Sequence, residues 1–319
     1  MLYGAKSSVL MGIEETFGTA ATLAYKLPFT NENLNPKIEA LKSEANLGLR
    51  APKSLAPGKE GAAGSIEVEL YPELAGVLFY LALGKASAED PDSTPDSGDE
   101  YSKIVAAGVN DSLPSATIQV DHAGQKFDYL GMKLNQLQLN AAVGAIPKVS
   151  LDWLGKEEAD AAATIGSLTE PGNEPFFFRE IAVYTDEFTT VTDKYSNIQL
   201  TIANNLDGDD YRLDGTGKRK SVAAQNLDIT GSVELIFDAS TVSDEYAKFK
   251  NFTDAALALT FEKNTQKLRI YLPRIRFSEA THDISGAGKI LLKANITALL
   301  DSNNEAIIVE DHVNTSGTY

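Results

Sequence analysis

Two stretches of the chain follow a similar pattern: GSIEVELY at residues 64–71 and GSVELIFD at residues 231–238. In both, apolar and polar residues alternate, which predicts a strand with one buried face. A similar segment that recurs far along the chain suggests a duplicated unit. The apolar positions are Ile66, Val68 and Leu70 in the first stretch and Val233, Leu235 and Phe237 in the second.

The same order of elements follows each stretch. A short helix is predicted in YPELAGVLFYLALG, ended by Gly84, and another in STVSDEYAKFKNFTD, capped by Ser240 or Thr241. A hairpin with the turn DHAG or EKNT comes next, and a closing strand, PKVSLDWLG or GKILLKANITAL, ends each unit. The closing strands align Lys148 with Lys289.

This order of elements predicts a mainly β protein with short helices and an internal duplication. The first domain spans residues 1–165, with an N-terminal arm and an acidic, proline-bearing insertion at about 85–113 that has no apolar period. The second spans residues 166–319 and ends in a C-terminal tail. The alternative is two unrelated β-rich domains that share a common strand start.

Composition narrows the class of protein. The 319 residues suit two domains, and the absence of cysteine excludes disulfides and thiolate chemistry. A net charge of −17 argues against a protein that grips nucleic-acid phosphates, and the only basic cluster, GKRK at 217–220, is expected to be a solvated loop. The start is not a signal peptide, and no apolar run is long enough for a membrane span, so we expect synthesis in the cytoplasm without membrane insertion.

Motifs for catalysis are not visible. His122, His282 and His312 lack neighbours at metal-ligand spacing and are expected on the surface. The aspartates of LDGDDYRLDG suggest a calcium loop, but the twelfth position is Lys218, where an EF-hand needs glutamate. We therefore expect no enzyme activity, no cofactor and no metal site.

The segments GIEETFGTAATLAYKLPFTNENLNPKIE and GLRAPKSLAPGKEGAAGSIEVELYPELAGVLFYLALG resemble the tail tube proteins of long-tailed double-stranded DNA bacteriophages. The shared features are a glycine-flanked N-terminal arm, a strand that ends at NPKIE, a long loop, and a GSIEVEL strand that leads into a short apolar helix. The C-terminal half shares NIQLTIANNL, TGSVELIF and LRIYLPRIRF.

The resemblance implies two tandem β-sandwich or half-barrel units, each with one flanking helix. Such units form six-fold rings that stack into a tube, and DNA passes through the channel during infection. A chain with two units would close a pseudo-six-fold ring with three copies. The implied partners are further copies of the chain and other tail proteins, such as the tape measure, tail terminator and distal tail proteins, in the virion tail.

Two sets of residues are candidates for functional roles. The loops at 47–63 and 207–225 and the arm at 1–20 are expected to contact the next ring, and the acids that alternate outward on the repeated strands are expected to line the channel. The ring-stacking candidates are Arg50, Lys53, Lys59, Asp209, Arg212 and Lys218, and the lumen-lining candidates are Glu67, Glu69 and Glu234.

A second function remains open from the sequence alone. Two β-sandwich domains could form a binding or adhesion module without catalysis, using aromatic residues on loops or sheet faces. Trp153 is the only tryptophan, and Tyr129, Tyr211 and Tyr271 are scattered along the chain, which weakens this alternative.

Overall fold

The computed structural model describes residues 3–45, 48, 50–91, 100–108, 112–160, 162–172, 174–282 and 288–319, and it is mainly β. The first half contains one α-helix within this part of the chain. Its elements are β1 (Ser8–Glu14), β2 (Thr22–Leu27), β3 (Phe29–Glu32), β4 (Asn35–Lys42), β5 (Leu55–Glu69), α1 (Pro72–Leu83), β6 (Gly84–Glu89), β7 (Tyr101–Ala106), β8 (Ser115–His122), β9 (Gln125–Ala142), β10 (Lys148–Gly155), β11 (Glu157–Ala159) and β12 (Thr164–Thr169).

The second half begins with a 3₁₀ turn at Phe178–Glu180 and also consists mostly of strands. Its elements are β13 (Ile181–Tyr184), β14 (Val191–Thr192), β15 (Tyr195–Ala203), β16 (Asp207–Asp210), β17 (Ser221–Ala223), β18 (Asp228–Ile236), α2 (Ala239–Ser243), α3 (Glu245–Asn251), β19 (Ala255–Lys263), β20 (Gln266–Thr281), β21 (Leu291–Ala298) and β22 (Ile308–Asp311).

One continuous ladder of antiparallel strands runs across both halves. Its order is β5–β10–β9–β15–β18–β21–β20. The joint between the halves is the pairing of β9 with β15, in which seven residues from Gln136 to Ala142 face Ala203 to Asn197. The two halves therefore share a sheet through backbone hydrogen bonds.

Strand β9 also connects this ladder to a second group of strands. Its first part pairs with β8, which pairs with β1, and β1 pairs with β2. The corresponding part of β20 pairs with β19, which pairs with β13, and β13 pairs with β14. A single cluster of buried apolar residues runs through both halves and includes nearly all of the apolar side chains of α1.

Helix α1 confirms the sequence prediction. It ends at Gly84, which adopts a left-handed conformation (φ 90°) that glycine tolerates best. Both predicted hairpins are also present, with His122 opposite Gln125 and Lys263 opposite Gln266. The predicted cap of the second helical segment is wrong, because the Asp238 carboxylate accepts the hydrogen bond from the backbone N–H of Thr241 (2.8 Å).

Four segments expected to be irregular contain strands, among them the loop at 207–225, which contains β16 and β17. The expected arm at 1–20 includes β1, whose Val9 and Met11 are fully buried. The expected loop at 47–63 is shortened because β5 begins at Leu55. The insertion at about 85–113 contains β6 and β7, which pair with each other, and β7 also pairs with β22. Residues 1, 2, 47, 49, 92–99 and 109–111 of these segments lie outside the described residues.

The carboxylate of Glu14 ties β1 to its neighbours. Glu14 is 7% exposed and accepts hydrogen bonds from the Ser115 and Thr117 hydroxyls and from the backbone N–H groups of Gly18 and Gly131, at 2.7–2.9 Å. Four donors satisfy both oxygens, which offsets the desolvation of a buried carboxylate. Glu14 therefore holds the turn after β1 against β8 and β9.

Replacing Glu14 with glutamine should destabilise the monomer by about 1–3 kcal/mol, because the new amide NH₂ faces donors instead of accepting from them. Urea denaturation followed by circular dichroism measures this loss. The control is Glu15→Gln at the neighbouring exposed position, where we expect a change below about 0.5 kcal/mol. Equal stability of the two variants would show that the Glu14 network contributes nothing.

Candidate functional site: the polar sheet face and the hairpin arms

One face of the seven-strand ladder packs on the core, and the other carries polar side chains. Alternation along each strand produces this arrangement: Ile66 and Val68 are buried, whereas Glu67 and Glu69 lie on the opposite face. We call this surface the polar sheet face; its residues are Ser65, Glu67, Glu69, Gln136, Gln138, Asn140, Lys148, Ser150, Asp152, Asn197, Gln199, Thr201, Thr230, Ser232, Glu234, Glu279, Thr281, Lys293, Asn295 and Thr297.

Most of the polar sheet face is neutral, consisting of amides and hydroxyls. Its charged residues are five carboxylates and two lysines, so the face carries a net negative charge. The three lumen-lining candidates, Glu67, Glu69 and Glu234, all lie on it. Their alternation with buried residues is the signal that places them there.

Two ion pairs restrain acids on this face. Lys148 donates to Glu67 (2.7 Å), and Lys293 lies 3.0 Å from Glu234. The hydrogen bonds from Lys148 and from Thr30 hold the pKa of Glu67 below its usual value. Burial raises the pKa of Asp152 on the adjacent strand.

A hairpin extends from the ladder in each half. The first arm consists of β4 paired with the start of β5 (Leu41 opposite Ala56), and the second consists of β16 paired with β17 (Asp207 opposite Ala223). All eight residues of β4 are exposed. The second arm, by contrast, packs against the first half of the chain.

Three side chains fasten the second arm to the first half. Arg219, 8% exposed, donates to the carbonyl oxygens of Gly208 and Gly155. Lys133, whose pKa is lowered by burial, donates to the carbonyl of Val222 (2.9 Å). These contacts correct the expectation that the basic cluster at 217–220 is only a solvated loop.

The third fastening is the pair formed by Lys218 and Glu157. Burial raises the pKa of Glu157, but hydrogen bonds from Lys218 and Lys156 outweigh this effect and lower the pKa overall. The carboxylate therefore stays charged where the arm crosses the first half.

The structure brings most of the ring-stacking candidates together. Lys59 and Asp209 form an ion pair (2.6 Å) that links the first arm to the second, and the second arm also carries Lys218 and Arg212, which pairs with Asp210 (3.1 Å). Arg50 and Lys53 lie beyond β4 on the first arm and are exposed. Lys59 and Asp209 lie in strands β5 and β16, not in loops.

The histidines are not clustered. His122 contacts Phe127, and His282 stacks on Phe237. The side chain of His312 is 11% exposed, so its expected surface position is wrong; it packs beside Tyr101 and Glu310. Within the described ranges, no group of three His, Asp or Glu residues is placed to hold a metal ion, and no helix is long and apolar enough to cross a membrane.

The outer edges of such a ladder present backbone groups that can pair with another chain. A family model described as phage tail tube protein matches residues 4–298. The chain therefore belongs to the phage tail tube protein family, which is a structural family of the virion tail and not an enzyme family. Family membership implies self-assembly and favours the tail tube over the adhesion module. No curated protein matches the chain.

Replacing Arg219 with alanine should release the second arm, because the substitution removes two charge-assisted hydrogen bonds, one of them to the Gly155 carbonyl in the first half. We expect a loss of about 1.5–3 kcal/mol in unfolding free energy and faster proteolysis at residues 211–217. The control is Arg212→Ala on the same arm, where the side chain is 67% exposed. Indistinguishable proteolysis of the two variants would show that Arg219 does not fasten the arm.

Proposed function

We propose that the chain contains two copies of one tail tube unit and that three chains close each ring of the tube. The strand pairings support this proposal. In the first half, β2–β1–β8–β9–β10–β5 are successive neighbours; in the second half, β14–β13–β19–β20–β21–β18 are neighbours in the same order. The proposed units correspond to residues 1–165 and 166–319.

The irregularities of the two ladders also correspond. A register shift between β9 and β10 skips Asn135, and the shift between β20 and β21 skips Ser278. A further shift between β3 and β5 skips Thr30, and the shift between β15 and β18 skips Ser196. Unrelated β domains have no reason to place two bulges at matching positions of their ladders.

Side-chain contacts around these bulges repeat as well. The Thr30 hydroxyl donates to the backbone carbonyl of Glu67 (3.3 Å), and the Ser196 hydroxyl donates to that of Glu234 (3.1 Å). These are the two glutamates of the repeated sequence. The correspondence therefore extends from backbone register to individual hydrogen bonds, which supports duplication although few residues are identical.

The joint between β9 and β15 provides a template for ring closure. By the matched registers, β20 corresponds to β9, and the segment Leu34–Lys37 corresponds to Leu200–Ala203, the end of the part of β15 that pairs with β9. The edge of β20 from residue 276 to 281 has no strand at the corresponding position within the described chain. The Leu34 N–H and carbonyl already bond to Glu32 and Tyr129, and Pro36 has no N–H. We therefore propose that residues 34–37 of the next copy lie along this edge mainly through side-chain contacts and that three such joints close the ring.

The template places Lys37 of one copy opposite Glu279 of the next, as Ala203 lies opposite Gln136 within the chain. Glu279→Lys should therefore weaken ring formation, because it places two positive charges next to each other across the joint. Adding Lys37→Glu to this variant should restore ring formation by reversing both charges. Analytical ultracentrifugation of the single variants and the pair measures the effect.

The control for the charge exchange is Lys42→Glu with Glu279→Lys, since Lys42 lies farther along β4. Rescue by Lys37→Glu but not by Lys42→Glu supports the register. Equal rescue by both would mean that only net charge matters and would contradict the proposed joint.

We further propose that the polar sheet face lines the channel and that DNA passes over it. Neutral amides and hydroxyls with an excess of acids offer phosphates little attraction, whereas a basic wall would retain DNA. Screening limits repulsion to about 8 Å at physiological salt, so Glu67, Glu69 and Glu234 would act only on DNA close to the wall.

Replacing Glu67, Glu69 and Glu234 with lysine should convert assembled tubes into DNA binders. Binding should weaken about fortyfold between 50 and 200 mM salt for every three phosphates neutralised. Retention of a short duplex by purified tubes measures this change. The glutamine triple variant controls for loss of negative charge; tubes of the lysine variant that retain no more DNA than the glutamine variant would contradict the lumen assignment.

Stacking of rings is assigned to the ends of the arms, where Arg50, Lys53 and Arg212 are exposed. The N-terminal segment before β1 is proposed to join this contact. Tape measure, tail terminator and distal tail proteins are the proposed partners at the tube interior and ends.

A further inference from the structure

The first arm exposes positions that the second arm buries. By the matched hairpin registers, Leu55 corresponds to Val222 and Ile38 corresponds to Asn204. Val222 is 2% exposed and Asn204 is 5% exposed, whereas Leu55 is 70% exposed and Ile38 is 58% exposed. Apolar side chains thus stand in solvent at the positions where the second arm is covered.

The cover of the second arm comes from the first half of the same chain. Lys133 and Leu134 meet it from β9, through hydrogen bonds that link Lys133 to the Val222 carbonyl (2.9 Å) and the Asn204 amide to the Leu134 carbonyl (2.9 Å). Glu157 meets it after β10.

The corresponding surface of the second half is vacant within the described chain. Lys133 corresponds to Arg276. Lys133 lies opposite Leu154 and Arg276 lies opposite Thr297, and these two partners occupy the same position of β10 and β21. The backbone N–H of Lys156, just after β10, donates to the Leu130 carbonyl, and that of Leu299, just after β21, donates to the Arg274 carbonyl. The residues that follow these two, Glu157 and Leu300, therefore correspond.

This surface exposes two apolar side chains beside Arg274 and Arg276, which both pair with Asp254 (2.7 and 2.6 Å). Leu300 is 55% exposed, and Phe252, 59% exposed, lies under the guanidinium of Arg276 at 5.0 Å. Leu55 and Ile38 are exposed and apolar, like Phe252 and Leu300. Within the chain, the basic Lys218 likewise pairs with the acidic Glu157.

We infer that the first arm of one copy docks on Phe252, Arg276 and Leu300 of the neighbouring copy in the same ring. The inference rests on the proposed ring and assigns this arm a lateral contact instead of one to the next ring alone. The occupant is a second copy of this chain, since the internal docking of the second arm supplies the geometry. Docking buries apolar surface that a monomer leaves exposed.

The absence of native cysteine makes cross-linking a direct test. The variant with Leu55→Cys and Leu300→Cys, assembled and treated with a bismaleimide, should give a covalent species that stops at three chains, because a lateral contact closes with the ring. The two single-cysteine variants are controls and should give no such closed product.

A covalent ladder that grows beyond three chains would place the arm on the next ring and overturn the inference. Intact rings without cross-links would also overturn it, while leaving the proposed ring in place. A protein that never forms rings would overturn the ring and the docking together.

A second variant covers the case in which the cysteines impair assembly. Leu55→Asp should weaken ring association about tenfold or more, equivalent to about 1.4 kcal/mol, with the melting temperature of the monomer unchanged. Leu213→Asp on the second arm, where the side chain is fully exposed, should leave ring association unchanged. Equal association of both variants with the unmodified chain would overturn the docking.

Discussion

The antiparallel pairing of β9 with β15 is the constraint on which the rest of the structure depends. It joins two ladders into one and gives them a common polar face. It also carries the second arm across β9 and β10, where Arg219 and Lys133 meet it. An unpaired strand edge can pair with another strand. The pairing of β9 with β15 occupies one such edge in each half, whereas the edge of β20 from residue 276 to 281 has no paired strand within the described residues.

The joint explains why a chain built this way would assemble. In the proposed assembly, each half offers a strand edge and a segment that can lie against it, and within the described residues only the joint between β9 and β15 forms. The remaining edges lie at opposite ends of the ladder, at the first arm and at β20. A head-to-tail contact between such ends either closes a ring or continues as a filament, and the repeated twist of the ladder determines which.

The sequence predicts local structure well because local structure follows residue periodicity. Alternation located β5 and β18, and a proline followed by an apolar run and a glycine located α1. The joint between the halves could not be predicted, because strand neighbours bond through backbone groups that every residue carries. The sequence pattern aligns Lys148 with Lys289, whereas the strand registers align Lys148 with Leu291. The two alignments differ by two residues because β20 is longer than β9 between its hairpin and its bulge.

Part of the polar sheet face could also be predicted from the sequence, because it too follows residue periodicity. Glu67, Glu69 and Glu234 alternate with buried residues, so their shared face follows from the pattern. The amides of β9 and β15 on that face, such as Gln138 and Gln199, carry no motif and were missed. Arg219 was missed because burial of a basic residue depends on a surface from the distant Gly155, which no local pattern reveals.

The number of chains in each ring tests the central claim most directly. Native mass measurement of isolated rings, together with electron cryomicroscopy of assembled tubes, determines it. The account predicts three chains per ring, three times the 34.3 kDa of one chain, with six similar ladders around the channel. A ring of six chains would contradict it, because only one half of each chain could then serve as the tube unit.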